Sequence, residues 1–164
     1  MTRAASRPAA APAVDIRIES PLWQEQPQAE ATIRAAIVQA ASFADVDGEV
    51  SVLLTDDAAI ARLNRDWRNL DKPTNVLSFP APETGAGELL GDIVLAYETL
   101  ARECAAEDRL FLHHLAHLAA HGFLHLIGYD HQTDSQADEM EGLESQIMLR
   151  LNMPDPYDAR ERGC

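Results

Sequence analysis

The chain has 164 residues, 46% of them hydrophobic, which fits one globular domain with a substantial core. No run approaches the roughly eighteen consecutive apolar residues that a membrane helix needs, so the sequence predicts no membrane span. Asp and Glu number 27 against 13 Lys and Arg, and this net charge of −14 argues against generic nucleic-acid binding, because phosphate affinity comes largely from Lys and Arg.

Both ends of the chain are predicted to be tails around a single domain. The opening stretch MTRAASRPAAAPAV is rich in Ala and Pro, and proline breaks the amphipathic helix that a targeting peptide would need. We therefore predict a disordered N-terminal tail (1–13), one domain (14–157) and a short C-terminal tail (158–164). Cys104 and Cys164 form no C-x-x-C pair, which indicates a reducing, cytoplasmic setting without disulfides.

Apolar periodicity alternates between strand and helix at first and becomes wholly helical later. Alternating or short apolar runs bounded by turn formers predict four strands, at 14–20, 49–54, 75–79 and 89–95. Apolar residues at helical spacing predict five helices, at about 31–41, 55–67, 98–105, 109–127 and 135–151. Because only helices follow the mixed first part, we predict an α+β fold in which a small mixed four-stranded sheet is covered by helices.

All six histidines lie between His113 and His131. Three of them, His121, His125 and His131, form the pattern H-x-x-x-H-x-x-G-x-x-H in HGFLHLIGYDH, the zinc spacing of the metzincin peptidases. His121 and His125 lie one turn apart on a helix, and Gly128 can end that helix in a left-handed conformation that turns His131 back toward the same ion. Three imidazoles with one open position predict a catalytic site for one Zn²⁺ on a zincin-like metal helix.

Other residues of the histidine segment have more than one interpretation on the sequence alone. Gly122 stands where the metzincins carry their general-base glutamate, and we interpret its missing side chain as room for an anionic substrate beside a metal that itself activates water. His117, one turn before His121, either orients a ligand or contacts substrate, or is an ordinary helix residue. We interpret His113 and His114 as surface or helix-boundary residues.

One stretch of this acidic chain, 62–72, is locally basic. It holds Arg62, Arg65, Arg68 and Lys72 against two aspartates. Arg68 and Lys72 fall where a predicted helix gives way to a loop, and a guanidinium suits bidentate contact with a phosphate. The stretch predicts a phosphate-bearing substrate, and a solvated loop arginine is the plain alternative.

The segments HGFLHLIGYDH and LNRDWRNLDKPTNVLSFP, together with GELLGDIVLA and MEGLESQIMLRLNMPDPY, resemble the YbeY family of bacterial endoribonucleases. The resemblance spans roughly 14–157 and implies that this part is one catalytic domain. It further implies a zinc-dependent endonuclease, specific for single-stranded RNA, that acts in 16S rRNA 3′-end maturation and ribosome quality control. In that family's terms His121, His125 and His131 are the metal ligands and Arg68 is the essential catalytic arginine.

The resemblance also implies partners: precursor rRNA, proteins of the small ribosomal subunit and the GTPase Era, with no membrane. The net charge of −14 agrees with this, because weak generic RNA affinity leaves specificity to docking on a ribosomal or protein partner. The segment 134–144 has five acids and no base. We interpret it as a solvated helix face, with contact to a basic ribosomal protein as the alternative.

Several alternatives remain open at this point. Asp130 either orients a ligand histidine or is an exposed turn residue. The RNA bond is attacked either by water or by the RNA's own 2′-OH, and no general base is identified. Two other classes of protein also fit the histidine pattern: a metallopeptidase or other zinc hydrolase of metzincin type, and a non-catalytic ribosome-assembly factor whose zinc only holds the fold.

Overall fold

A mixed four-stranded sheet forms the centre of the fold in the computed structural model, in which residues 11–44, 46, 48–82 and 89–157 are described. Its strands, in chain order, are β1 (Ala13–Ile18), β2 (Glu49–Thr55), β3 (Val76–Pro80) and β4 (Leu89–Ala96). The spatial order is β1-β2-β4-β3, in which β1, β2 and β4 run parallel and β3 pairs antiparallel with β4 at one edge.

Five α-helices pack around this sheet: α1 (Ala29–Ser42), α2 (Asp57–Arg68), α3 (Tyr97–Glu107), α4 (Phe111–Leu126) and α5 (Asp134–Arg150). Each predicted strand and helix is present with its ends shifted by a few residues, and the predicted α+β fold is confirmed. A short 3-10 helix at Pro21–Glu25, which the sequence did not predict, follows the capping side chain of Ser20. Within the described ranges, no helix is both long and apolar enough to cross a membrane.

The two faces of the sheet carry different layers. The main core lies between one face and the helices α1, α4 and α5, and it includes the fully buried Ile93 and Phe123. On the other face α2 covers a smaller cluster that contains Ile60, Leu77 and Val94. Because successive strand residues point to opposite faces, the edge strand β3 contacts both layers. Leu77 belongs to the α2 cluster, whereas the hydroxyl of Ser78 donates to a carbonyl of α4.

Helix α2 is closed at both ends by local structure. The side chain of Asp56 accepts a hydrogen bond from the Ala59 N–H at 2.9 Å, which satisfies one of the free amides of the first turn. The helix ends at Asn69, which adopts a left-handed conformation with φ 61°. Asparagine tolerates this conformation better than most residues. Arg68 is therefore the last helical residue before the loop that leads to β3.

His114 corrects the prediction that it lies at the surface. Its side chain is buried in the first half of α4, and its Nε2 lies 2.8 Å from Oε1 of Glu103 on α3. Burial lowers the pKa of His114, although the hydrogen bond to Glu103 opposes this effect. Glu103 also accepts a hydrogen bond from the side chain of Asn75, so this pair ties the start of β3 to α3 and α4.

The predicted tails fall largely where no structure is described. Residues 1–10 and 158–164 lie outside the described residues, and β1 begins at Ala13, one residue before the predicted start of the domain.

Candidate metal centre

The three histidines of the zinc pattern lie together at the end of α4. One ring nitrogen from each of His121, His125 and His131 lies within 4.8 Å of the other two. The ring centroids of His121 and His125 are 4.7 Å apart, as expected for residues one turn apart on a helix. Ligands at about 2.0–2.1 Å from a shared ion lie within about 4 Å of one another. The three rings are thus close to ligating positions.

A glycine turn brings His131 back to the helix that precedes it. Gly128 has φ 109°, a conformation that favours glycine, and its N–H donates to the His125 carbonyl at 3.2 Å. The Tyr129 N–H donates to the Leu124 carbonyl at 3.0 Å, and these two bonds make the Schellman motif that ends a helix. The predicted role of this glycine in ending the helix and reversing the chain is confirmed.

Asp130 acts on the backbone of this turn. Its Oδ1 accepts a hydrogen bond from the His131 N–H at 2.8 Å. That contact holds the peptide that carries the third histidine rather than the imidazole ring itself. Two residues further on, the Thr133 side chain and Gln136 form a capping box that starts α5. The chain around His131 is thus fixed from both sides by local hydrogen bonds.

A buried carboxylate from α5 stands behind the histidines. Glu144 is 1% exposed, and its Oε2 accepts a hydrogen bond from Nδ1 of His121 at 2.6 Å. Its Oε1 accepts from Nε2 of His117 at 2.8 Å and from the hydroxyl of Tyr157. Burial raises the pKa of Glu144, but the hydrogen bonds from His117 and His121 outweigh burial and hold this pKa at about 2. The carboxylate is therefore ionised at neutral pH.

This contact fixes which nitrogen of His121 is free for a metal. Because Nδ1–H is donated to Glu144, the lone pair of His121 is on Nε2. A metal-binding histidine commonly donates its other ring N–H to a carboxylate in this way. His125 is also suited to ligation, because burial lowers its pKa and repulsion from the charged forms of His121 and His131 lowers it further. The donor set fits a divalent metal ion that imidazole binds well.

The position of Gly122 differs from the sequence interpretation. A Cβ at this residue would lie 3.1 Å from Cγ2 of Ile93 and 3.1 Å from Oγ of Ser78, so the glycine faces the sheet. The Ser78 hydroxyl donates to the Gly122 carbonyl at 3.1 Å. The expected room for a substrate is therefore taken by β3 and β4, and the missing side chain lets α4 approach the sheet closely.

The structure places Arg68 on the helix that packs against the opposite face of the sheet from α4. Its side chain is exposed, and within the described residues it makes no hydrogen bond or ion pair. The backbone carbonyl of Lys72 accepts a hydrogen bond from the side chain of Asn64 at 3.0 Å, which holds the loop close to α2. The side chain of Lys72 makes no hydrogen bond or ion pair within the described residues. The described part of the chain thus brings together the three histidines and His117, but it does not bring Arg68 or Lys72 into contact with them.

Sequence reasoning missed Glu144 and Tyr157. It treated the acids of segment 134–144 as one solvated face, and that interpretation is wrong for Glu144, which is buried. A signal was available, because Glu144 shares helical spacing with Met140, Ile147 and Met148, the other buried residues of α5. A carboxylate on the apolar side of a helix needs a buried partner. Nothing in the sequence pattern indicated that Tyr157 would supply a third donor.

Comparisons with known proteins match this chain to one family. The family model described as Endoribonuclease YbeY matches residues 17–152. The Endoribonuclease YbeY of Bradyrhizobium sp. (strain BTAi1) is 53% identical over 161 residues, covering 92% of this chain and 95% of that protein. The protein of the same name from Nitrobacter winogradskyi is 53% identical over 163 residues, covering 93% of this chain and 86% of its own.

Among solved structures, the solution structure of TM1509 from Thermotoga maritima superposes with a TM-score of 0.48 at 24% identity, covering 88% of this chain and 99% of its own. The family itself follows from the matched length and from the relatives at about half identity. The chain belongs to the YbeY endoribonuclease family.

Proposed function

We propose that this protein is a zinc-dependent endoribonuclease that cleaves single-stranded RNA, with one ion per chain. The observation that carries the proposal is the cluster of His121, His125 and His131 with a buried carboxylate behind it, in a chain of the YbeY family. Three neutral imidazoles are typical of a catalytic zinc site that keeps one position open for water or substrate. A structural zinc site would use four protein ligands, usually with cysteine, whereas the cluster within the described residues has three donors, all of them histidines.

The residues around the histidine cluster have roles that their contacts support, and the role of Arg68 follows from its charge and its lack of a partner among the described residues. A bound zinc ion supplies Lewis-acid polarisation of a phosphoryl oxygen and activation of water. The three histidines would hold this ion, and Glu144 keeps Nε2 of His121 directed away from the carboxylate. His117 shares the same carboxylate and so helps to fix its orientation. Arg68, whose guanidinium has no partner among the described residues, provides positive charge for the phosphate of bound RNA.

The biological role that we propose is maturation of the 16S rRNA 3′ end and ribosome quality control in the cytoplasm. The family membership supports this role, and the buried free thiol of Cys104 is compatible with a reducing compartment. The net charge of −14 supports docking on basic proteins of the small ribosomal subunit, with the GTPase Era as a further partner, because it disfavours unguided binding to RNA.

The chemical groups at the ends of the cleaved RNA show whether water or the RNA's own 2′-OH attacks the phosphate. Attack by the RNA's own 2′-OH leaves a 2′,3′-cyclic phosphate, whereas attack by water leaves an ordinary phosphate monoester. We propose attack by water, because a zinc ion held by the three histidines would supply activation of water. End-group analysis of the cleaved RNA by mass spectrometry checks this, and a cyclic phosphate as the first product would contradict it.

The function is tested by combining metal analysis with RNA cleavage by the purified full chain. Wild type is expected to carry zinc and to cleave single-stranded RNA, whereas His121→Ala loses metal and activity and Arg68→Glu keeps metal but loses cleavage. Intact RNA after incubation with metal-loaded wild type would overturn the proposal. Peptide cleavage that survives Arg68→Glu would instead indicate a metallopeptidase.

A further inference from the structure

A groove with a volume of about 760 Å³ runs across the face of the sheet that α2 covers only in part. Its apolar lining comes from the sheet and from α2: Leu53, Phe79 and Val94 belong to strands, and Leu63 and Trp67 belong to α2. The ring of Trp67 packs edge-on against Phe79, with centroids 6.0 Å apart and planes at 61°. This aromatic pair forms one rim of the groove.

The exposure of Trp67 is unusual for so large an apolar side chain. It is 71% exposed, although Trp23, the other tryptophan of the chain, is 2% exposed in the core. Tryptophan at a surface is typical of binding sites, because its ring offers a large contact area at low entropic cost. Contact with Phe79 restricts one edge of the ring and leaves much of it open to a ligand.

The helix that contains Trp67 and the loop after it are rich in cations, which favour an anionic ligand. Arg62, Arg68 and Lys72 make no ion pair within the described residues, whereas Arg65 pairs only with its neighbour Asp66 at 3.3 Å. Three unpaired cations in the segment 62–72, which contains Trp67, stand out in a chain of net charge −14. A positively charged border with aromatic rings for stacking is the usual design of a single-strand nucleic-acid surface.

Two acids, Asp15 and Asp92, and one arginine, Arg17, line the groove. The strand register places Asp15, Ser51, Asp92 and Phe79 in one row across the sheet. Asp15 and Asp92 repel phosphate from the floor of the groove, but a carboxylate accepts hydrogen bonds from the amino groups of a base. A nucleotide with its base toward the groove and its phosphate toward the basic border satisfies both.

The edge strand β3 connects this groove with the metal centre. On one face of the sheet, Phe79 packs against Trp67. On the other face, the preceding residue, Ser78, donates a hydrogen bond to Gly122, the neighbour of His121 in the chain. Pro80, Ala81 and Pro82, which follow in the chain, also line the groove. The aromatic rim and the layer of α4 therefore lie on opposite faces of the same edge strand. A flexible single strand can cross such an edge, whereas a duplex is too stiff to wrap around it.

We propose that Trp67 and Phe79 form a stacking platform for a base of single-stranded RNA whose scissile phosphate lies at the histidine site. The inference rests on the proposed function, because it names how the same substrate is held. It assigns to Trp67 a role in substrate affinity and in the preference for unpaired RNA, separate from metal binding and from the cleavage step.

The chain offers a direct spectroscopic test, because one of its two tryptophans is buried and the other is exposed. Metal-loaded full-length protein is titrated with a short phosphorothioate-linked single-stranded RNA while tryptophan fluorescence is recorded. Stacking on Trp67 is expected to quench the emission in a saturable way. Trp67→Phe should still bind this RNA but lose the quenching, since Trp23 cannot be reached. A perfectly paired duplex of the same sequence should not quench.

Cleavage kinetics provide the second readout. Trp67→Ala is expected to weaken RNA affinity and raise KM about tenfold with kcat nearly unchanged, since stacking acts in substrate binding. Trp67→Phe should recover most of this loss. Leu149→Ala is the matched control, because Leu149 is also a large exposed apolar residue (59%) but lies on α5. Metal content and thermal unfolding of each variant are measured in parallel to show that the fold is intact.

The stacking platform would be overturned if RNA does not quench the fluorescence of wild type and the folded Trp67→Ala variant has the same RNA affinity and KM as wild type. The proposed nuclease activity would be unaffected by that result. Absence of cleavage by wild type would overturn the nuclease first. If Trp67→Ala instead abolishes binding to a purified ribosomal protein and leaves RNA binding unchanged, the groove is a protein-docking surface and the inference is wrong.

Discussion

The metal centre and the basic aromatic border of the groove differ in how their side chains are held. At the metal centre, His121 is fixed by a buried carboxylate, and His131 is placed by a glycine turn and an aspartate bond to its own N–H. At the border, Arg68 and Lys72 are exposed without side-chain partners in the described chain. The fold therefore holds the side chains of the first region in place, whereas the two cations of the second region have no partner within the described residues.

This difference fits the two functions that we propose, metal binding for the first region and RNA binding for the second. A site that binds a metal must hold its ligands in place before the ion arrives, because small displacements weaken coordination. A surface that receives a flexible polyanion benefits from unpaired cations, because an existing ion pair would have to be broken first. Mutations in the first region should therefore change metal binding, and mutations in the second should change RNA cleavage at constant metal content.

The largest expected effect comes from removing a ligand. His125→Ala should lower the rate of RNA cleavage by at least roughly a thousandfold, because metal-ion catalysis contributes several kcal/mol to transition-state stabilisation. His113→Ala, on the same helix but outside the cluster, is the matched control and should keep its metal. Metal content by atomic emission and single-turnover cleavage rates check both. Full activity in metal-free His125→Ala would contradict the assignment.

The next largest loss of RNA cleavage is expected from substitution of Arg68, in the basic border of the groove. Arg68→Ala should reduce kcat/KM about a hundredfold, because a charge-assisted contact with an RNA phosphate contributes about 1.5–3 kcal/mol. Arg68→Lys should recover only part, because an ammonium cannot make bidentate contact. Arg65→Ala, whose side chain already pairs with Asp66, serves as control. Metal content should be unchanged throughout, and loss of metal in Arg68→Ala would erase the contrast between the two regions.

Glu144→Gln tests the preorganisation of the metal centre. The glutamine side chain is nearly the same size but lacks the negative charge of the carboxylate that accepts hydrogen bonds from His117 and His121. Loss of such a partner of a metal-binding histidine typically weakens metal affinity about 10–100-fold. Competition with a chromophoric chelator measures this affinity, and the visible spectrum of the Co²⁺-substituted protein reports the ligand geometry. Wild-type affinity with an unchanged spectrum would show that the carboxylate only fills space.

Gly122→Ala gives the smallest effect and decides between two explanations of this residue. An added Cβ would press on Ile93 and Ser78, so we expect a net loss of about 1 kcal/mol in the free energy of unfolding, after the better helix propensity of alanine is included. Thermal unfolding with RNA cleavage checks this. An unchanged melting temperature with a raised KM would restore the interpretation that Gly122 leaves room for substrate.

The sequence predicted the elements that depend on local signals. The spacing of His121 and His125 and the glycine at 128 are constraints within a few residues, and the structure agrees with the chain reversal that they predict. It could not predict contacts between distant segments. The partner of His121 comes from α5, and the neighbours of Gly122 come from β3 and β4. These depend on how layers pack, which no local pattern encodes.

We propose that RNA cleavage depends on a metal ion held by the histidine cluster. The most direct measurement is the cleavage rate of single-stranded RNA by wild type as zinc is removed with a chelator and then restored in known amounts. We predict a rate that rises in proportion to bound zinc and levels off at one ion per chain. A rate that stays at its initial value in the metal-free protein would contradict the account.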